Sequence, residues 1–436
     1  MNWIKRPVLA AAMSVLLLRG LTLASRFLLS VLLARTLSPD AVGEYGLITA
    51  TLAFALVVLG LEFYSHTMRE LVPASPARRV EIIANQLVLA AIIFAVVVLA
   101  GALAALAGLF SPRLVAWFLL ILATEHLSSE ATRILVITSR PVRAYMGVFL
   151  RGGIWVYVIA ALMFAVPGFR ALETVLTWWA LGGAASILFA AFSLRGLPWR
   201  EVGNKRPDWI WIADGLRVAR PFLLTAAGAL TISYVDRFMI DAWVGRGPLG
   251  IYTFYSTIMI GMLSLGASVS HQFLPKIIEA WSAGAAAYRK AVRSFFLALA
   301  SVAVGMLVLA AGLITPLLAV LQLNQYAAGV GVFFLMLPGV LLRILADVPS
   351  YALYAAKADT SLLICNLGAA MAAILLNLVL VPAFGIHGAA LSGTIASGAL
   401  LAALSALALH RMRQAGKEPG ATEAVGLPTD ADLLYP

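Results

Sequence analysis

The chain has 436 residues, 62% of them hydrophobic and 12% charged, with mean hydropathy +0.97 and a formal net charge of +11. Soluble domains carry about 25% charged residues, so a soluble globular protein is excluded, and the alternating short strands of a membrane β-barrel are absent from the pattern. The positive balance does not mark a nucleic-acid binder, because the basic residues fall in short loops between apolar runs, which is the signature of membrane topology.

A membrane-crossing helix needs about 20 apolar residues. Twelve such segments are expected, and the first, 11–34, carries Arg19 and Arg26. These two arginines are seven residues apart and therefore share one helical face, about 10 Å from each other. Each costs roughly 2.5–3.5 kcal/mol at a helix centre. Two cations on one stripe suit an anion in a water-accessible cavity; a salt bridge to Glu125, Glu130 or Asp236 is the structural alternative. Span 42–64 ends in Glu62 and His66, read as interface residues, and span 83–106 is apolar. Span 114–136 carries Glu125, His126, Glu130 and Arg133; His126 and Glu130, four apart, are expected to face each other, and Arg133 to snorkel. Span 145–166 carries Arg151 with no acid within a helical turn, and span 174–194 is apolar.

The stretch 195–220 holds Trp199, Trp209 and Trp211 among basic residues and reads as an amphipathic linker at the interface. Span 221–243 follows, with Asp236, Arg237 and Asp241; Arg237 and Asp241 can pair at four residues' spacing. Span 249–273 is followed by a run from 294 to 342 with no Asp, Glu, Lys or Arg. One helix of that length would be about 74 Å long, over twice the bilayer core. It is therefore divided at Pro316 and Gln322–Asn324–Gln325 into spans 294–315 and 327–348, the second with Arg343 and Asp347 on one face. Pro382, Gly385 and His387 divide the last apolar run into 361–381 and 386–409, and a disordered tail is expected over 411–436. Of the 25 basic residues outside these spans, 21 lie at the termini and in alternate loops. Both termini are thus expected in the cytoplasm.

The basic loop separates six spans (1–194) from six (221–410). Gly43-Glu44-Tyr45 echoes Gly250-Ile251-Tyr252, Leu59-Gly60 echoes Leu265-Gly266, and Ser65-His66 echoes Ser270-His271. These pairs recur in order at a nearly constant offset, which points to a parallel duplication whose halves enclose a central site.

Three segments carry a family resemblance: Leu33-Ala34-Arg35-Thr36-Leu37-Ser38-Pro39 through Gly43-Glu44-Tyr45, Tyr234-Val235-Asp236-Arg237-Phe238-Met239-Ile240, and Asn377-Leu378-Val379-Leu380-Val381-Pro382 through Gly385-Ile386-His387-Gly388-Ala389-Ala390-Leu391. They resemble the polysaccharide transporter family, the O-antigen flippases, in the superfamily that also holds multidrug and toxic compound extrusion antiporters and the lipid II flippase. The resemblance implies an all-α membrane protein with two six-helix bundles around a central cavity. It implies translocation of a polyprenyl-pyrophosphate-linked oligosaccharide across a bacterial cytoplasmic membrane, with membrane lipids and possible polysaccharide-assembly proteins as partners. Candidate substrate-binding residues are Arg19, Arg26, Arg151, Arg237 and Arg343. Asp236, Glu130 and Asp347 are candidates for coupling H+ or Na+ or for a charge switch.

No metal-spaced cluster, reactive nucleophile motif or phosphate-cradling loop is visible, so no cofactor, metal or catalytic site is expected. The alternatives are an ion-coupled multidrug extrusion antiporter, whose cavity would be acidic, and a membrane-embedded glycan-modifying enzyme.

Overall fold

The structure, a computed structural model, describes residues 5–108, 111–199 and 206–415. Of the tail expected to be disordered over 411–436, residues 411–415 instead continue the last helix, and 416–436 lie outside the described residues, as does the middle of the basic loop at 200–205.

Every regular element among the described residues is helical: α1 (Lys5–Thr36), α2 (Pro39–Gly60), α3 (Tyr64–Leu71), α4 (Pro76–Leu106), α5 (Pro112–Ile137), α6 (Pro141–Phe149), α7 (Trp155–Ala165), α8 (Leu172–Leu194), α9 (Trp209–Trp243), α10 (Arg246–Ser282), α11 (Ala285–Val320), α12 (Asn324–Ala327), α13 (Val330–Leu345), α14 (Asp347–Ala355) and α15 (Asp359–Ala415). A π-helical turn, Leu150–Ile154, joins α6 to α7. Eleven stretches of the described residues are long and apolar enough to cross a membrane, with α6–α7 and α13–α14 each counting as one. The last stretch is two helices joined across Gly385, whose φ of 58° and ψ of −137° lie outside helical space. Only a residue without a β-carbon adopts such angles at low cost. That kink yields the twelfth crossing expected from the sequence, and the chain is a multi-pass, all-helical membrane protein.

The linker expectation needs correction. Its second half, from Trp209, is the first turns of α9, which continues through Pro221 to Trp243. Trp211 and Ile212 are buried against Phe63, Leu71, Ile82 and Ala190. The Trp211 indole N–H donates to Glu70 Oε2 at 2.7 Å, and its ring meets Phe63 edge-on at 5.3 Å. A buried indole needs an acceptor, and Glu70 supplies it. Trp209 and Ile210 remain exposed.

Packing divides the chain into two compact units. The first holds the described residues up to Leu37 together with Ile48–Ala226; the second holds Ser38–Leu47 together with the described residues from Ala227 onward. The boundary falls inside α9, later than the linker, because that helix is continuous. The start of α2 belongs to the second unit through two reciprocal contacts with α10. A β-carbon on Gly43 would lie 2.2 Å from the Arg246 carbonyl oxygen, and one on Gly250 would lie 1.9 Å from the Pro39 carbonyl oxygen. The two glycines that the sequence pattern matched across the repeats are therefore the two that let these helices touch backbone to backbone.

Gly250→Leu is expected to lower thermal stability in detergent by about 1–3 kcal/mol or more, since neither backbone can yield. Gly305→Ala, where an added β-carbon meets nothing within 4 Å, is expected to leave it unchanged. Thermal unfolding of both variants checks the contact, and equal stability of the two would refute it.

Candidate functional site

In the first unit, α1 binds the α6–α7 segment along one side. Ser25 Oγ donates to the Gly152 carbonyl at 3.0 Å, and Tyr157 Oη donates to the Leu21 carbonyl at 2.9 Å. Arg19 and Arg26 are both exposed. Arg19 donates to the Tyr145 hydroxyl and lies 4.4 Å from the centre of its ring. Arg26 makes no hydrogen bond or ion pair among the described residues. The carboxylates expected to compete for them, Glu125, Glu130 and Asp236, have other partners. Both cations therefore keep their charge free of any carboxylate within ion-pair distance among the described residues.

Arg151 has no acid within a helical turn, and its carboxylate comes from another helix. Its Nε lies 3.5 Å from Glu125 Oε2, and its Nη1 donates to Ser129 Oγ. The Trp179 indole N–H donates to the other oxygen of Glu125 at 2.8 Å. The π-helical turn carries Arg151 towards α5, and Gly182 of α8 gives that turn room: a β-carbon there would sit 2.9 Å from the Leu150 carbonyl oxygen. Counting four residues along a helix cannot find an acid on another helix.

The expected facing pair of His126 and Glu130 is also corrected. Glu130 is buried and accepts hydrogen bonds from Arg133 and from Gln86 of α4. The Arg133 guanidinium also lies 3.9 Å from the centre of the Tyr64 ring, beyond the end of α2. Burial, with help from Glu62, pushes the Tyr64 phenol above its ordinary range. His126 is buried too, with Nε2 lacking a hydrogen-bond partner.

In the second unit, Asp236 and Arg237 are buried near the end of α9. Asp236 accepts from the Tyr252 hydroxyl and from the Arg237 backbone N–H at 2.8 Å. The Arg237 side chain donates from Nη2 to Ser256 at 2.9 Å and lies 4.4 Å from the centre of the Tyr234 ring. Its Nε and Nη1 are buried without an acceptor. The expected Arg237–Asp241 pair is not formed, because Asp241 instead accepts from Arg246 Nε at 2.9 Å across the turn. Arg246 also reaches Glu44 at 4.0 Å. The hairpin of α9 and α10 turns about Val244 and Gly245, so residues equidistant from the turn meet: 241 with 246, and 236 with 252. That register was legible in the sequence and would have found Tyr252.

Arg343 and Asp347 do not close an ion pair, contrary to expectation. The helix is interrupted between them at Ala346, and Asp347 Oδ2 accepts from Ser270 of α10 at 2.8 Å. Arg343 opens instead on a cavity of about 100 Å³, which Ser233, Asp236, Tyr252, Ser256, Thr394 and Ser397 also line. Of the sequence-predicted residues, this cavity unites Asp236 and Arg343, with Arg237 touching it through Ser256. Glu130, Arg151, Arg19 and Arg26 belong to the first unit and to three separate environments there. Among the described residues no three His, Cys, Asp or Glu side chains converge as a metal site.

No protein-family model and no curated protein matches the chain. Solved structures do. An inward-facing multidrug resistance MATE family transporter of the MOP superfamily matches with TM-score 0.72 at 14% identity, over 91% of this chain and 96% of that one. The lipid II flippase MurJ, in an inward closed conformation, matches with TM-score 0.70 at 16% identity, over 91% of this chain and 86% of that one. A MOP superfamily transporter from Pyrococcus furiosus, described by the reverse polarity of its binding pocket, matches with TM-score 0.51 at 12% identity, over 93% of this chain and 99% of that one. The chain has the fold of these transporters.

Arg151→Ala leaves the Glu125 carboxylate in an apolar region without its cation and is expected to cost about 3 kcal/mol. Glu125→Gln in the same chain is expected to recover part of that loss, with a coupling of about 1–3 kcal/mol in a double-mutant cycle followed by thermal unfolding. Additive losses would mean that the two side chains do not neutralise each other.

Proposed function

We propose that this protein is a flippase that carries a polyprenyl-pyrophosphate-linked oligosaccharide across a bacterial cytoplasmic membrane by alternating access, for cell-surface polysaccharide synthesis. The observation that carries this reading is the pair Arg19 and Arg26. They stand on one exposed face of α1, and neither has a carboxylate within ion-pair distance among the described residues. A guanidinium fork matches phosphate oxygens in pairs, and in a low-dielectric surrounding the attraction is far stronger than in water. Arg26 is the residue best disposed to hold the pyrophosphate, since its donors are free; Arg19 adds charge and is steered by Tyr145. The similarity to a lipid II flippase fold supports the same reading.

Arg151 and Arg237 contribute less directly, each being engaged by neighbouring side chains. Coupling to H+ or Na+ would fall to Asp236, Glu130 or Asp347, carboxylates buried or half-buried within the spans. Both termini face the cytoplasm in this reading. Membrane lipids, the lipid-linked glycan and polysaccharide-assembly proteins are the partners.

An ion-coupled multidrug extrusion antiporter is the second reading, favoured by the MATE family fold match. It needs unneutralised carboxylates for cationic cargo. Glu125, Glu130 and Asp241 each have an arginine within ion-pair distance, whereas Arg19 and Arg26 have no carboxylate there among the described residues. A membrane-embedded glycan-modifying enzyme would form covalent product without leaflet exchange.

Reconstitution in liposomes with a polyprenyl-pyrophosphate glycan tests the proposal by scoring glycan exposed in the far leaflet. Arg26→Glu is expected to lower the rate at least tenfold, and Arg26→Lys to retain a measurable part. Full activity of the charge-reversed protein, or efflux of a cationic dye in place of the glycan, would sink the flippase reading.

A further inference from the structure

The cavity beside Arg343 has an imbalance of donors over acceptors. Asp236 is already supplied on both oxygens, by Tyr252 and by the Arg237 backbone. Ser256 donates to the Thr253 carbonyl and accepts from Arg237. Ser233 and Thr394 spend their hydroxyl hydrogens on the Ala229 and Leu335 carbonyls, each at 2.9 Å. Two groups on the wall remain unengaged among the described residues. The Arg343 guanidinium makes no hydrogen bond or ion pair, and the hydroxyl of buried Ser397 makes no hydrogen bond. Asp347, the acid nearest to Arg343 in sequence, is held by Ser270 and stays beyond ion-pair distance.

A guanidinium carries five N–H donors and accepts nothing. Left without an acceptor in an apolar surrounding, it is costly. Met336 and Val340 supply apolar wall here, so water alone screens the charge poorly. At about 30 Å³ per water, about 100 Å³ admits roughly three waters, or a small polyatomic ion. The complement of such a wall is a ligand that is negative, rich in acceptors and planar-forked on one edge.

We propose that this cavity is a binding site for a phosphate-class oxyanion, held by Arg343 through a paired N–H···O contact and by Ser397 through its hydroxyl. The site stands apart from Arg19 and Arg26, which lie in the other unit. That the oxyanion belongs to a lipid-linked cargo rests on the flippase reading; that an oxyanion binds at Arg343 does not. Asp236 lines the same cavity with both oxygens already accepting, from the Tyr252 hydroxyl and from the Arg237 backbone N–H, so its oxygens are not left to capture the Arg343 guanidinium.

The test uses the full-length protein in nanodiscs with inorganic pyrophosphate as the probe, read by calorimetric titration and by the rise in unfolding temperature. Wild type is expected to bind saturably. In an Arg26→Glu background, which removes the pyrophosphate site proposed on α1, Arg343→Gln is expected to weaken binding at least tenfold, and Ser397→Ala about threefold. Arg343→Lys keeps the charge and loses the fork, and is expected to fall between wild type and Arg343→Gln; it serves as the readable variant if Arg343→Gln fails to fold. Lys290→Gln, on an exposed turn of α11, controls for the loss of one positive charge. Binding that Arg343→Gln and Arg343→Lys leave intact overturns the proposal, whatever the protein transports. A second arm repeats the measurement in liposomes with the polyprenyl-pyrophosphate glycan. Loss of transport together with pyrophosphate binding assigns the site to the cargo. Loss of binding with transport intact assigns it to free phosphate, and the anion site stands in either case.

Discussion

A charged side chain inside the hydrocarbon must find a partner or a pocket of water, and most of this structure's polar architecture follows from that demand. One such group costs roughly 2.5–3.5 kcal/mol on insertion, a large share of the stability of any protein. The chain meets the demand by crossing helices. Arg151 of the π-helical turn reaches Glu125 of α5, Glu130 of α5 gathers Arg133 and Gln86, and Asp236 of α9 takes the Tyr252 hydroxyl of α10. Asp236 and Asp347 hydrogen-bond only to neutral donors, and three arginines have no carboxylate within ion-pair distance among the described residues: Arg26 and Arg19 on α1, and Arg343 on α13.

Close helix approach makes this pairing possible, and small residues make the approach possible. Gly182 lets the π-helical turn lie against α8, which sets Arg151 at Glu125. Gly43 and Gly250 let α2 and α10 meet through their backbones, which fixes the turn where Arg246 collects Asp241 and Glu44. With Arg246 so placed, Asp241 is no longer available to Arg237. Among the described residues the Arg237 guanidinium then hydrogen-bonds to Ser256 and lies over the Tyr234 ring, with two of its nitrogens lacking acceptors.

The helix–break–helix reading of the last apolar run succeeded because Gly385 is a local signal, a residue whose missing side chain permits the kink. The separation of 195–220 as a surface linker failed at Trp211, because an aromatic run reads alike whether it lies at an interface or in a core. Only the pocket around Phe63 and Glu70 distinguishes the two. None of the four-residue charge pairs within one helix, Arg237–Asp241, Arg343–Asp347 and His126–Glu130, closes: Asp241 and Asp347 take partners on α10, and Glu130 takes Arg133 three residues on and Gln86 of α4. Spacing along one helix shows which residues share a face, but not which competing partner stands opposite.

By itself the sequence determined the solvent this chain lives in, the number of crossings, the alternation of basic loops and the presence of arginines too deep to be accidental. These follow from composition and from short-range periodicity, which every stretch of chain carries within itself. The tertiary structure alone decided which arginines are neutralised, because that depends on carboxylates brought from distant positions by helix packing. It likewise decided that Arg343, Asp236 and Ser397 share one cavity, since they come from three helices whose meeting no local pattern encodes.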